Sequence, residues 1–135
     1  MLNKPLTKLL LVDDDEDTLI IAKYCLERLK GVTVKYVSSG EEAIREAMTF
    51  MPDLILLDAM MPQMDGLTTL KTMRLFSVLA QIPVVFFTAK IQKEEIATFL
   101  KAGAIDVITK PFDPQALAST ILAIWEKHIK NTTGN

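Results

Sequence analysis

The sequence predicts a doubly wound α/β domain, a parallel sheet of five strands with helices on both faces. Three observations carry that prediction. Five short apolar runs recur along the chain, helical periodicities lie between them, and Gly, Ser and Pro fall where strands and helices would meet. Strict β-α alternation repeated five times calls for right-handed crossovers, and so for parallel strands.

Taken in order, "KLLLV" (8–12) is continuously apolar after its lysine, the pattern of a strand buried on both faces. Leu19, Ala22, Leu26 and Leu29 then keep an i, i+3, i+7, i+10 stripe. Asp15, Glu16 and Asp17 suit the first turn of that helix, where each acidic group gains ~0.3–1 kcal/mol from the positive end of the dipole. Gly31 follows as a C-terminal cap would. The next run, "VTVKYV" (32–37), alternates enough to be an edge strand. Ser39 is placed to cap the helix that starts at "GEEAI", whose stripe is Ala43, Ile44, Ala47 and Met48. "LILL" (54–57) is the third strand. Pro83 opens the fourth, "PVVFF" (83–87), Gly103 stands as a helix cap, and "AIDVI" (104–108) is the fifth. Leu117, Ile121 and Ile124 stripe the last helix, with Trp125 at the margin as either core or an exposed partner contact. Residues 1–6 read as an N-terminal extension, 7–129 as one domain, and 130–135, "KNTTGN", as a frayed polar tail.

At 135 residues, 50% hydrophobic and with a mean hydropathy of +0.26, the chain suits one domain with a sizeable core. Its longest apolar runs stop far short of the ~20 residues a membrane helix needs, and "MLNKPLTK" lacks a secretory signal's apolar stretch. A cytoplasmic protein is expected, and the Asn131-Thr132-Thr133 sequon is then a chance match. One cysteine, Cys25, excludes a disulfide framework and a multi-cysteine zinc site. A net charge of −2, with its 15 Lys and Arg scattered, offers no footprint for nucleic acid, so DNA contact would require another domain.

The chemistry gathers at strand ends, where open α/β sheets bind ligands. The first strand runs into five consecutive acidic residues, Asp13 to Asp17; Asp58 ends the third, Thr88 follows the fourth and Lys110 the fifth. Three carboxylates in one pocket repel, each pair at ~4 Å costing on the order of 4 kcal/mol at an effective dielectric of 20. Lys110 offsets one charge. A hard divalent cation such as Mg²⁺ would offset the remainder and accept carboxylate oxygens, so Asp13, Asp14 and Asp58 read as metal ligands. A carboxylate beside Mg²⁺, an ammonium and a hydroxyl also suits phosphoryl transfer, with Asp58 as nucleophile and Thr88 and Lys110 as donors.

Other readings fit less well. Asp13, Asp15 and Asp17 have EF-hand spacing, but Thr18 stands where that loop needs Gly and Tyr24 where it needs Glu. An aspartyl phosphatase of the haloacid dehalogenase type would carry Asp-x-Asp-x-Thr, and neither Asp13 nor Asp14 begins such a motif. Met60, Met61 and Met64 have no Cys or His beside them and read as loop packing. His128 reads as solvated and lacks the kinase apparatus a phosphodonor needs. A flavin-binding module would place a Ser/Thr/Gly-rich phosphate loop after the first strand, where this chain places acid. A Mg²⁺-dependent phosphoester hydrolase acting through Asp58 is the alternative function.

The motifs "LLLVDDD", "LILLDAMMPQMDG", "PVVFFTA" and "KPF", in that order and at strand ends, closely resemble the receiver domain of two-component response regulators. The resemblance implies a flavodoxin-like sheet in the order 2-1-3-4-5 and a phosphorylation-activated signalling switch. Asp58 would accept a phosphoryl group from a histidine kinase or a histidine phosphotransfer protein. Mg²⁺ would be held by Asp14, Asp58 and the backbone carbonyl of Met60, with Asp13 acting largely through water. Lys110 would pair with the phosphoryl oxygens and Thr88 would move to meet one of them, reshaping the face made by the fourth helix, fifth strand and fifth helix for an effector or an output domain. The Lys110-Pro111 bond is expected to be cis. Val107 replaces the aromatic residue usual before "KPF", so the customary rotamer switch coupled to Thr88 cannot operate as such. Met60 and Lys90 occupy positions that resemble those tuning dephosphorylation.

Overall fold

The computed structural model describes residues 4–89 and 92–133. The elements alternate throughout: β1 (Lys8–Val12), α1 (Glu16–Leu26), β2 (Thr33–Val37), α2 (Gly40–Phe50), β3 (Leu54–Leu57), α3 (Gly66–Met73), β4 (Val84–Ala89), α4 (Lys93–Lys101), β5 (Asp106–Lys110) and α5 (Leu117–Thr133). The five strands are all parallel, in the order β2-β1-β3-β4-β5, with β2 at one edge as its alternation predicts.

Continuous apolar runs follow from burial on both faces of the sheet. Leu10, Val12, Ile55, Leu57 and Phe86 pack with residues of α2, α3 and α4, among them Ala47, Leu70 and Phe99. Their neighbours Leu9, Leu11, Leu54, Leu56 and Phe87 pack on the other side with Ala22, Leu26 and Ile121 of α1 and α5. Because side chains alternate along a strand, the runs of β1, β3 and β4 each supply both layers and hold no polar residue in their middle.

Ser39 caps a helix where the sequence places it, whereas Asp15, expected in the first turn of α1, is its cap residue and leaves Glu16 and Asp17 in that turn. Asp15 caps α1, accepting the Asp17 amide at 3.1 Å and the Thr18 hydroxyl at 3.0 Å. Ser39 caps α2 through the Glu42 amide, and Asp65 caps α3 through the Thr68 amide at 2.8 Å. Each cap contributes about 1 kcal/mol.

Several boundaries differ from expectation. The fourth and fifth strands run two residues further, because Thr88 pairs with Thr109 and Ala89 with Lys110 beyond the end of β3. Thr88 and Lys110 therefore belong to the strands themselves. Gly31 does not cap α1, which stops at Leu26 with Glu27 as its cap; it sits at φ 76° in the turn leading to β2. Gly103, at φ 114°, does follow α4 directly. The helix α5 continues to Thr133, into the segment whose polarity suggests a tail.

The described part of the N-terminal extension, residues 4–6, is tied to the domain. Leu6 is buried, and the Trp125 indole N–H donates to the Lys4 carbonyl at 2.8 Å. Trp125 is thus core, at 4% exposure, and not an exposed contact. His128 lies against the Trp125 ring, half-buried where solvation was expected, and burial lowers its pKa.

Candidate functional site

The site forms at the carboxyl ends of β1, β3, β4 and β5. Asp13 extends the β1–β2 pairing by donating its amide to Val37, and Asp58 donates its amide to Val12. Both carboxylates are thereby fixed to the sheet, with Asp13 fully buried and Asp58 4% exposed. Thr88, in β4, is buried beside them in the strand order, at 1% exposure.

Lys110 joins two of these strands. Its Nζ donates to Asp13 Oδ2 at 2.7 Å and lies 3.8 Å from Asp58 Oδ2, while the same ammonium stands 5.3 Å from the centre of the Phe87 ring. The second Asp13 oxygen accepts the Asp15 amide at 2.9 Å. The second Asp58 oxygen, Oδ1, accepts the Met60 amide at 3.1 Å, so the loop after β3 curls back over its own carboxylate. The Lys110-Pro111 bond is cis, as the resemblance implies.

One ammonium does not neutralise this pocket. Burial first, and the neighbouring Asp13 carboxylate second, push the Asp58 pKa up to about 7, against the opposing pull of the Met60 amide and Lys110. Asp13, Asp14 and Asp58 each offer an oxygen, and the three atoms lie within 4.8 Å of one another. Asp14 is exposed, which leaves that side open to solvent. Hard oxygen donors, crowded negative charge and an open side fit a hydrated divalent cation such as Mg²⁺.

The structure thus brings together Asp13, Asp14, Asp58 and Lys110 by direct geometry and sets Thr88 on the adjoining strand. Lys90 lies outside the described residues. Two positions escaped the sequence reading. A Cβ on Gly66 would run into the Asp58 carbonyl and stand 2.8 Å from Ala59 Cα, so only glycine lets the start of α3 close against the acidic loop. The Gly66 amide donates to Ala59 at 3.0 Å and fixes that closure. Asp65 caps the same helix. The Asp65-Gly66 dipeptide ahead of the apolar "LTTL" was the available signal.

With this geometry in hand, comparison with known proteins is decisive: the response regulator receiver domain matches residues 9–122. The chain belongs to that family. It is a receiver domain of the response regulators of two-component systems. The alkaline phosphatase synthesis transcriptional regulatory protein PhoP of Bacillus subtilis is 39% identical over 120 residues, covering 89% of this chain and 49% of that protein. The transcriptional regulatory protein CpxR of Escherichia coli is 37% identical over 122 residues, covering 90% and 50%. The chain spans about half the length of these curated relatives. Among solved structures, the Vibrio cholerae chemotaxis protein CheY4 aligns with a TM-score of 0.80 at 28% identity, over 89% of this chain and 99% of that one. A response regulator described as putative from Chloroflexus aurantiacus aligns at 0.78 and 33% identity, over 90% and 98%. No helix among the described residues is long and apolar enough to cross a membrane.

Proposed function

We propose that this receiver is a phosphorylation-activated switch in which Asp58 accepts a phosphoryl group, with Mg²⁺, from a phosphohistidine on a histidine kinase or phosphotransfer protein. The observation that carries the reading is the placement of Lys110 Nζ, 2.7 Å from Asp13 and 3.8 Å from Asp58, inside a cluster of three carboxylates.

A carboxylate oxygen of Asp58 attacks phosphorus; the new P–O bond forms as the P–N bond breaks, and its electron pair stays on the imidazole nitrogen. The product is an acyl phosphate, and water later returns Asp58 and inorganic phosphate. The Met60 amide holds one Asp58 oxygen and so orients the carboxylate for attack. Lys110 is a ready donor for the phosphoryl oxygens, since its ammonium already lies between the two buried carboxylates. The Thr88 hydroxyl, on the next strand, is the second donor. Asp13, Asp14, Asp58 and the Met60 carbonyl would hold Mg²⁺, which would supply positive charge against the carboxylates and the incoming phosphoryl oxygens. The chain then acts on itself and its donor, as a cytoplasmic signalling module and not as a multiple-turnover hydrolase.

Output would pass through the face made by α4, β5 and α5 to an effector or an output domain. Val107 is half-buried against the layer that contains Phe86 and Phe99, whose rings stack 4.3 Å apart. With no ring at position 107, movement of Thr88 would be relayed by this aliphatic and aromatic packing.

The test is intact-mass spectrometry after incubation with acetyl phosphate and Mg²⁺. The wild type should gain one phosphoryl group, lose that gain without Mg²⁺, and the Asp58→Asn variant should gain none. An equal gain in the variant would move the acceptor elsewhere, and repeated turnover of a small phosphoester would restore the hydrolase reading.

A further inference from the structure

We propose that a cavity at the opposite end of the sheet binds a small anion with an apolar tail, of the class of acyl carboxylates. The cavity encloses about 760 Å³ between the chain entering β1, the turn after α1 and the outer half of α5. That volume falls in the ~300–1,000 Å³ range of small-molecule sites.

Its lining divides by chemistry. Leu6, Leu29, Trp125 and Ile129 are buried and form an apolar floor. Arg28, Lys30 and Lys130 are exposed at the rim, with Glu126 as the one carboxylate in the lining. Lys4 also lines the cavity, but its ammonium is 3.3 Å from Asp53 and already paired. None of Arg28, Lys30 and Lys130 has an ion-pair partner among the described residues. In a chain of net charge −2, this is a local excess of positive charge over an apolar hollow.

Basic residues near helix ends also offset helix dipoles. That role accounts for the charges; it does not account for the hollow between them. An apolar tail in the hollow would leave water while its anionic head stayed at a rim that carries Arg28, Lys30 and Lys130, and charge-assisted contacts are the strong ones. The same tail with a cationic head would meet repulsion at the rim, so the sign of the head group is the discriminating feature.

Trp125 is the single tryptophan and lies in the cavity wall, so its fluorescence reports occupancy directly. The full chain is titrated with sodium decanoate and, separately, with decylammonium chloride, while far-UV circular dichroism monitors the fold. Decanoate should give a saturable fluorescence change with an unchanged fold, and decylammonium none. The Arg28→Gln and Lys130→Gln variants should each weaken decanoate binding about tenfold, the loss expected for one charge-assisted contact. An equal response to both probes, no saturation, or unchanged affinity in both variants would overturn the proposal. So would a response that appears only after residues 1–3 are removed, because the cavity would then serve the chain's own terminus.

Discussion

Asp53 and Asp58 flank β3 at its two ends, five positions apart, and their surroundings are opposite. Asp53 Oδ2 accepts the Thr7 amide and hydroxyl at 2.9 Å each and the Lys8 amide at 3.0 Å, and Lys4 stands 3.3 Å from its other oxygen. Burial pushes its pKa up, but these donors outweigh burial and hold it below the usual carboxylate range. Asp58 has one amide, one ammonium at 3.8 Å and a neighbouring carboxylate, and its pKa is pushed up to about 7. The same side chain is saturated with donors at one end of the strand and starved of them at the other. The lesson concerns where this fold gathers like charge: at the amino end a carboxylate joins strands together, while at the carboxyl end Asp13, Asp14 and Asp58 crowd around one ammonium.

This contrast predicts a strong dependence of Lys110 variants on Mg²⁺. Removing the ammonium strands fully buried Asp13 without its 2.7 Å partner, and breaking such a pair costs about 3 kcal/mol. Urea unfolding of Lys110→Met should show that loss in metal-free buffer, and saturating Mg²⁺ should recover a large part of it. A loss that Mg²⁺ leaves untouched would mean that the metal and the ammonium do not share the same charge.

Asp58→Asn should have the opposite sign. Relieving one like-charge contact in the buried pocket stabilises the chain by about 2 kcal/mol near pH 8 without metal, half the ~4 kcal/mol of an unrelieved pair, because Lys110 and the Met60 amide already offset part of it. Since the folded pKa of Asp58 is raised, its favourable share is fully present below pH 3.8 and lost as pH rises through about 7. The gain in the variant should therefore vanish on acidification. Thermal melts across that range check it, and a variant less stable than wild type near pH 8 would contradict the crowding.

At the other end, Asp53→Ala should cost about 1–2 kcal/mol, the net worth of hydrogen bonds to a charged acceptor that is partly open to solvent. Mg²⁺ should change nothing in that loss. Equal sensitivity to Mg²⁺ at Asp53 and Asp58 would erase the distinction between the two ends.

Only one of the two ends was legible in the sequence. The strands could be read because burial on both faces forces unbroken apolar runs, and the carboxyl-end site could be read because Asp13, Asp14, Asp58, Thr88 and Lys110 terminate such runs. Asp53 carries no comparable mark. Its partners Thr7 and Lys8 are 46 and 45 residues away, and "PDLILL" reads as a turn before a strand. Distance in sequence also hid the Trp125–Lys4 hydrogen bond, which spans 121 residues, and with it the docking of residues 4–6 and the cavity beside them. The ends of β4 and β5 were misplaced because the polar residues Thr88, Thr109 and Lys110 stay in the strands through pairing with each other's strand. Gly66 was hidden for another reason: its necessity is a close approach to the Asp58 backbone, which composition does not express.

A proton titration of Asp53 separates the two ends by sign alone. Asp53→Asn keeps an acceptor oxygen and removes the charge, so near neutral pH it should lose under about 1 kcal/mol relative to wild type. Because the folded pKa of Asp53 is depressed, the wild-type advantage is fully present above its unfolded value near 3.8 and disappears as pH falls through the folded value. Urea unfolding of both proteins in metal-free buffer, stepped from near neutrality to about pH 3, should show the two stabilities converging from above. Divergence on acidification would mean that the donors around Asp53 do not favour its charged form, and that the amino end of β3 is as strained as the carboxyl end.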